Sequence, residues 1–184
     1  MDEPSWCVYD IETEKWAEDV GGWKALYGGH VAWRELGLRC VAIWTSDLGE
    51  TEIYDADDLA EVQEVLEQAE VVCDFNGKRF DHLILQDLLG DELSYRYHFD
   101  LLELVRGARN STQGGNSLEA VSQATLGRGK SPSFKGMHGA KLHRYCMRDV
   151  RLTRDLIDIA RAGKTIQNGH DADLTLEIPE WFRS

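Results

Sequence analysis

WCVYDIE (6–12) decides how this chain is read. A period of two puts Trp6, Val8, Asp10 and Glu12 on one face of an extended segment, and Cys7, Tyr9 and Ile11 on the other. With apolar side chains on both faces, the segment reads as a strand buried between two layers. Asp10 and Glu12 interrupt that pattern. Two carboxylates on a packing face repel each other and are costly to bury without compensation. Either the strand ends there and exposes both, or the pair holds a hard cation, for which oxygen ligands suit Mg²⁺ and Mn²⁺.

Working outward, EKWAEDVGGWKALYGGH (14–30) has no clean period and reads as a loop with a short helix. Its aromatic side chains Trp16, Trp23 and Tyr27, with Trp33, are expected first to cover the core; contact with a substrate or a partner are the other roles open to them. LRCVAIWTSD (38–47) and GETEIYDA (49–56) read as two strands joined by a tight Asp-Leu-Gly turn. DDLAEVQEVLEQAE (57–70) is an amphipathic helix with Leu59, Val62, Leu66 and Ala69 in one stripe and Asp58 and Glu61 as a capping box. VVCDF (71–75) reads as a strand, NGK as a turn, and FDHLILQDLL (80–89) as a helix stopped by Gly90.

Beyond this the chain reads as mostly helical. YHFDLLELVRG (97–107) is expected as a short helix, Ser117 caps SLEAVSQATLG, and KLHRYCMRDVRLTRDLIDIARAG (141–163) is one long helix. GRGKSPSFKGMHG (127–139) is a basic loop between the last two, and ADLTLEIP (172–179) an edge strand. Strand, helix, strand, helix predicts an α/β domain. No repeat or long linker divides the sequence, so a single domain over 1–184 is expected, with a motif-bearing core of about 5–162 and an extension over 163–184.

Composition narrows the class. With 42% hydrophobic residues, six Trp and three Pro in 184 residues, the chain is neither fibrous nor disordered. No apolar run spans a membrane and the start, MDEPSWCVYD, does not resemble a signal peptide, so a cytoplasmic protein without membrane contact is expected. Cys7, Cys40, Cys73 and Cys146 form no C-x-x-C pair and read as buried free thiols. The net charge of -13 argues against nonspecific coating of nucleic acid. The charge is uneven, however: residues 101–150 carry 8 basic and 3 acidic side chains, against 7 and 24 in residues 1–100. Chance clustering and a basic lip beside an acidic centre both fit that distribution.

Two further segments carry chemistry. In Asn76-Gly-Lys-Arg-Phe80-Asp81, a turn after a strand delivers Asp81 to the first turn of a helix, where the macrodipole favours a carboxylate. In Tyr145-Cys-Met-Arg-Asp149, the i,i+4 spacing sets a phenol and a carboxylate on one helical face, amid apolar neighbours. An Asp turned to the core needs a partner or a metal. Each segment alone also fits an ordinary helix start or a solvent-facing Asp. The histidines make no zinc pattern, and no glycine-rich loop has nucleotide-binding spacing.

Taken in order, D-x-E, N-x-x-x-F-D and Y-x-x-x-D resemble the three motifs of the DEDD, or DnaQ-like, 3′–5′ exonucleases of the ribonuclease H-like superfamily, in the subgroup with tyrosine in the last motif. The likeness is closest to the exonuclease domains of family B DNA polymerases and to small stand-alone ribonuclease H-like nucleases, and it extends over roughly residues 5–162. The resemblance implies a central mixed β-sheet flanked by helices, with Asp10, Glu12, Asp81 and Asp149 converging to hold two Mg²⁺ or Mn²⁺ ions. It implies that Tyr145 orients the attacking water, and that the substrate is single-stranded DNA or RNA with a free 3′ end, DNA favoured, cut to nucleoside 5′-monophosphates. Asn76, Lys78, Arg79, Phe80, Arg128, Lys130, Lys135 and Lys141 are candidate substrate contacts, with Phe134 and Met137 as candidate stacking residues in the basic loop. Asp100 fits a helix cap rather than the metal set. A structure-selective or endonucleolytic relative is the rival activity, and a non-catalytic nucleic-acid-binding subunit the rival class. A protein partner is left open.

Overall fold

The computed structural model describes residues 3–90, 93–109, 114–130, 136–170 and 173–184. Its centre is β1 (Trp6–Thr13), buried on both faces as its alternation predicts. β1 pairs antiparallel with β2 (Leu38–Thr45), which pairs antiparallel with β3 (Thr51–Asp55). On its other edge β1 pairs parallel with β4 (Val71–Asp74), and β4 parallel with β5 (Tyr97–Asp100). The sheet order is therefore β3-β2-β1-β4-β5, a mixed five-stranded sheet.

Helices cover both faces because both faces of β1 are apolar. Trp6 and Val8 lie in one core with Leu101 and Val105 of α4 (Leu101–Arg109), Leu118 and Val121 of α5 (Leu118–Leu126) and Cys146, Val150 and Leu156 of α6 (Ala140–Arg161). Cys7, Tyr9 and Ile11 lie in the other with Val62 and Leu66 of α2 (Leu59–Gln68), Ile84 and Leu85 of α3 (Asp81–Leu89), and Leu26 and Leu36. Each such side chain removed from water contributes about 1.5–3 kcal/mol. The four cysteines are buried and free. Among the described residues no helix is long and apolar enough to cross a membrane.

Three local expectations need correction. YHFD is not the start of a helix: it forms β5, and the helix begins one residue later at Leu101. Asp100 ends that strand and caps the helix, its Oδ1 accepting from the N–H of Leu102 at 2.9 Å. The cap before α2 sits one turn earlier than Asp58–Glu61: Asp58 accepts from the N–H of Asp55 at 2.9 Å, closing a 3-10 turn over Ala56–Asp58. Among the described residues of the tail only Asp173–Leu174 (β7) pairs, with Ile166–Gln167 (β6), because Leu176 and Ile178 pack into the core instead of extending an edge.

Candidate active site

The pairing of β1 explains the site. Its ladder with β4 runs only from Trp6↔Val71 to Val8↔Cys73, while its ladder with β2 continues to the end of the strand. Asp10 and Glu12 therefore project from a stretch of β1 that has lost its neighbour on one side. The turn after β4 fills the gap. Asp81, 6% exposed, accepts from the N–H of Ile11 at 3.1 Å, replacing a ladder bond that β4 is too short to make.

That turn is held firmly. Asn76 takes a left-handed φ of 70°, the single non-glycine residue to do so among those described. Its N–H donates to Asp100 Oδ1 at 2.8 Å, and the N–H of Gly77 donates to Asp74 Oδ1 at 2.9 Å. Gly77 is required by contact: a Cβ there would lie 2.2 Å from Asp74 Oδ2. The chain then passes through a 3-10 turn, Gly77–Arg79, and enters α3 at Asp81.

α6 supplies the third side. Tyr145, Cys146 and Asp149 all face inward, Asp149 at 1% exposure. The Cys146 thiol donates to the Asp10 carbonyl at 3.3 Å, fixing α6 against β1. Donor atoms of Asp10, Glu12 and Cys146 lie within 4.8 Å of one another.

Asp10, Glu12, Asp81, Tyr145 and Asp149 thus line one cavity of about 260 Å³, with Phe75, Asn76 and Phe80. Lys130, in the segment that follows α5, also reaches it. Its ammonium lies 2.5 Å from Asp149 Oδ2 and 5.5 Å from the centre of the Tyr145 ring. Lys130, a candidate substrate contact by sequence, lines the cavity and is the counter-ion of a carboxylate.

Crowding sets the electrostatics. Burial, then the neighbouring carboxylates Asp149, Asp81 and Glu12, raise Asp10 well above the usual carboxylate range. Burial and Asp149 push Glu12 up to about 8, and burial and Asp74 push Asp81 up to about 7. Burial also raises Asp149, although Lys130 opposes it. Burial disfavours the charged form of Lys130, but Asp149 and Asp10 outweigh that and raise its pKa. Tyr145 is pushed up to about 12, chiefly by burial. This donor set fits a hard divalent cation. Several carboxylates share too little positive charge, and Asp149 Oδ1 has no hydrogen-bond partner among the described residues.

The other expected contacts are scattered. Lys78 is ion-paired with Glu103 at 2.9 Å, Arg128 with Asp155, and Lys141 is exposed on α6. Arg79 is exposed, and its carbonyl accepts from Tyr27 Oη at 2.7 Å. Met137 packs against the core, and Lys135 and Phe134 lie outside the described residues. The expectation that the early aromatics cover the core holds for Trp33, which packs against it, and is corrected for the other three. Leu26, Leu36 and Ala17 cover the core, while Trp16, Trp23 and Tyr27 stay 41%, 47% and 55% exposed. Trp16 and Trp23 line the cavity, and Trp23 packs on Phe80 at 5.6 Å between centroids. Two Trp and a Tyr in a segment without apolar period were the available signal, since a core-covering loop has no need of so many wide rings at its surface.

A mixed sheet covered on both faces by helices, with acidic residues gathered where its central strand outruns its neighbour, defines an α/β fold of the ribonuclease H type. The sequence matches the RNase_H_2 family, of the RNase_H superfamily, over residues 7–157, and the chain belongs to that superfamily. Among solved structures it is similar to the family B DNA polymerase from the hyperthermophilic archaeon Pyrobaculum calidifontis, with a TM-score of 0.57 and 18% identity. The likeness covers 86% of this chain and 25% of the polymerase chain, so this chain spans about a quarter of that protein's length. A family B polymerase is the kind of neighbour the motif resemblance led to. No curated protein matches.

Proposed function

We propose that the chain is a divalent-metal-dependent 3′–5′ exonuclease that shortens single-stranded nucleic acid, DNA ahead of RNA, and releases nucleoside 5′-monophosphates. The observation that carries this reading is the meeting of Asp10, Glu12, Asp81, Asp149 and Tyr145 around one cavity, from three separate parts of the chain. Asp10, Glu12 and Asp149 would hold one Mg²⁺ or Mn²⁺, and Asp10 with Asp81 a second. When bound, such a pair supplies an activated water and counter-charge for the leaving oxygen.

The chain's own residues do the rest. Tyr145, with a pKa near 12, keeps its proton at neutral pH, so it orients a reacting group by hydrogen bonding and does not act as a base. The bond from the Ile11 N–H fixes the direction of Asp81. Trp16, Trp23 and Phe80 give the cavity an aromatic wall. Stacking on such a wall is worth about 1–3 kcal/mol per base and is open to unpaired bases, which favours a single strand.

The test is a time course on 5′-labelled single strands of DNA and RNA in Mn²⁺, Mg²⁺ and EDTA, beside Asp10→Ala. A metal-dependent ladder receding from the 3′ end and lost in the variant is expected. Cleavage of a circular single strand would replace the exonuclease reading with an endonuclease, and no cleavage by folded, metal-loaded protein would overturn it.

A further inference from the structure

α6 carries a second feature besides its inward face. Lys141, Arg144, Arg148 and Arg151 are all exposed and recur at intervals of three and four residues. At 3.6 residues per turn these four fall within an arc of about 80° and extend over about 15 Å of helix. Tyr145 and Asp149 occupy the next arc on the same helix, so the cationic stripe runs alongside the cavity and brackets it.

Three of the four side chains are not consumed by the protein's own acids, and the fourth, Arg148, also acts on Asp149. Lys141, Arg144 and Arg151 have no ion pair among the described residues; Arg148 donates to the carbonyl of Gly129, the residue before Lys130. The next residue along this flank is Asp155, and its carboxylate is already held by Arg128 and Arg154. No acid interrupts the stripe between Lys141 and Arg151, because Asp149 faces the cavity. In a chain with a net charge of -13, long-range repulsion works against an approaching polyanion, so a local cationic stripe stands out.

We infer that this flank of α6 is the track for the phosphate backbone of the substrate strand upstream of its reacting end. The occupant is a polyanion of regular charge spacing, because Lys141, Arg144 and Arg151 recur at helical spacing beside the cavity, exposed and without an ion pair among the described residues. The inference rests on the nucleic-acid substrate proposed above. It adds where the strand lies and which side chains hold it.

The test is binding without hydrolysis. A fluorescent single strand of about 20 nucleotides is titrated in EDTA by anisotropy, across about 50–200 mM salt, with wild type and with Lys141→Ala/Arg144→Ala/Arg151→Ala. Each phosphate neutralised contributes about -0.7 to the slope of log affinity against log salt. The triple variant is expected to have a slope shallower by about 2 and at least about tenfold weaker binding at the lowest salt. A charge-keeping variant, Arg144→Lys/Arg151→Lys, is expected to bind within about threefold of wild type, since it conserves the point charges. Equal affinity and slope in wild type and triple variant would overturn the track while leaving the nuclease reading intact. An equal loss in the charge-keeping variant would also overturn it, by showing that charge is not what is read. A wild type that binds no strand at low salt would instead overturn the nucleic-acid reading itself.

Discussion

Lys130→Met is the perturbation whose outcome follows most directly from the geometry. Asp149 is 1% exposed, and the Lys130 ammonium 2.5 Å from it is its nearest cationic partner, with Arg148 acting at longer range. Removing one partner of a buried ion pair costs about 3–5 kcal/mol, because the other charge is left without compensation. Two effects reduce that figure. The Lys130 side chain is 30% exposed, so water already screens part of the attraction. Asp149 can also take up a proton, as burial already raises its pKa. A loss of about 2–3 kcal/mol is therefore expected at about pH 8 in EDTA. In a chain of this size that lowers Tm by about 5–10 °C.

The same argument fixes two controls. With Lys130 gone, Asp149 binds its proton more tightly, so the penalty shrinks as pH falls and should be under about 1 kcal/mol near pH 5. A divalent cation at the carboxylates restores the missing positive charge, so Mn²⁺ should raise the Tm of the variant by more than that of the wild type. Thermal unfolding followed by fluorescence, at both pH values with and without Mn²⁺, measures all of this. Equal Tm for the two proteins in EDTA at about pH 8, or equal gains from Mn²⁺, would refute the assignment of Lys130 as counter-ion.

Metal-free protein should lose stability as pH rises. Glu12 at about 8 and Asp81 at about 7 hold protons in the native state that the unfolded chain releases near its ordinary carboxylate values, so their contribution is complete below about pH 4 and lost through about pH 7–8. Urea unfolding in EDTA that shows level or rising stability across this window would contradict it. Asp10→Asn should abolish cleavage and weaken Mn²⁺ binding, yet stabilise the metal-free protein by about 1 kcal/mol at neutral pH by removing one of the mutually repelling carboxylates; calorimetric titration and Tm separate the two effects. Gly77→Ala sets a Cβ against the Asp74 side chain, so a loss of about 2 kcal/mol or more is expected by urea denaturation, with activity falling as the Asp81 turn shifts. Trp23→Ala, at an exposed position, should change stability by no more than about 0.5 kcal/mol and weaken binding of a single strand about tenfold by anisotropy.

Much of the site was legible because its signals are local. Alternation in WCVYDIE announces a buried strand and makes Asp10 and Glu12 conspicuous, and the four-residue spacing of Tyr145 and Asp149 marks one face of a helix. The long helix over 141–163 was legible for the same reason. β5 was not: YHFD is four residues long with partly exposed side chains at the sheet edge, and its strand state comes from pairing with β4, which no local propensity encodes. The bond between Asp81 and Ile11 spans 70 residues and depends on where the β1–β4 ladder stops. The Lys130–Asp149 pair spans a basic loop whose composition suggested a strand contact and nothing inward. The exposed aromatics were misjudged because burial of wide rings is the usual outcome, and here Leu26 and Leu36 had already filled the core beneath them.

The charge distribution makes sense only when the two faces of α6 are considered together. The inward face brings Tyr145 and Asp149 to a cluster of carboxylates that cannot all be ionised at neutral pH without a cation, and Lys130 supplies one positive charge where several are wanted. A phosphodiester carries negative charge into that cluster, so the site favours a substrate only once cations outnumber what Lys130 provides. Metal occupancy and substrate affinity are therefore coupled at the cavity. The outer flank works differently: Lys141, Arg144 and Arg151 sit outside the carboxylate cluster, and their attraction for a polyanion does not wait on metal. If the proposed function and track hold, this separation of charge has the strand held first along the flank without metal and engaged at its end only when cations are present. On the proposed reading it also accounts for a polyanionic substrate on a chain of net charge -13: local positive charge along one helix flank offsets the long-range repulsion of the rest.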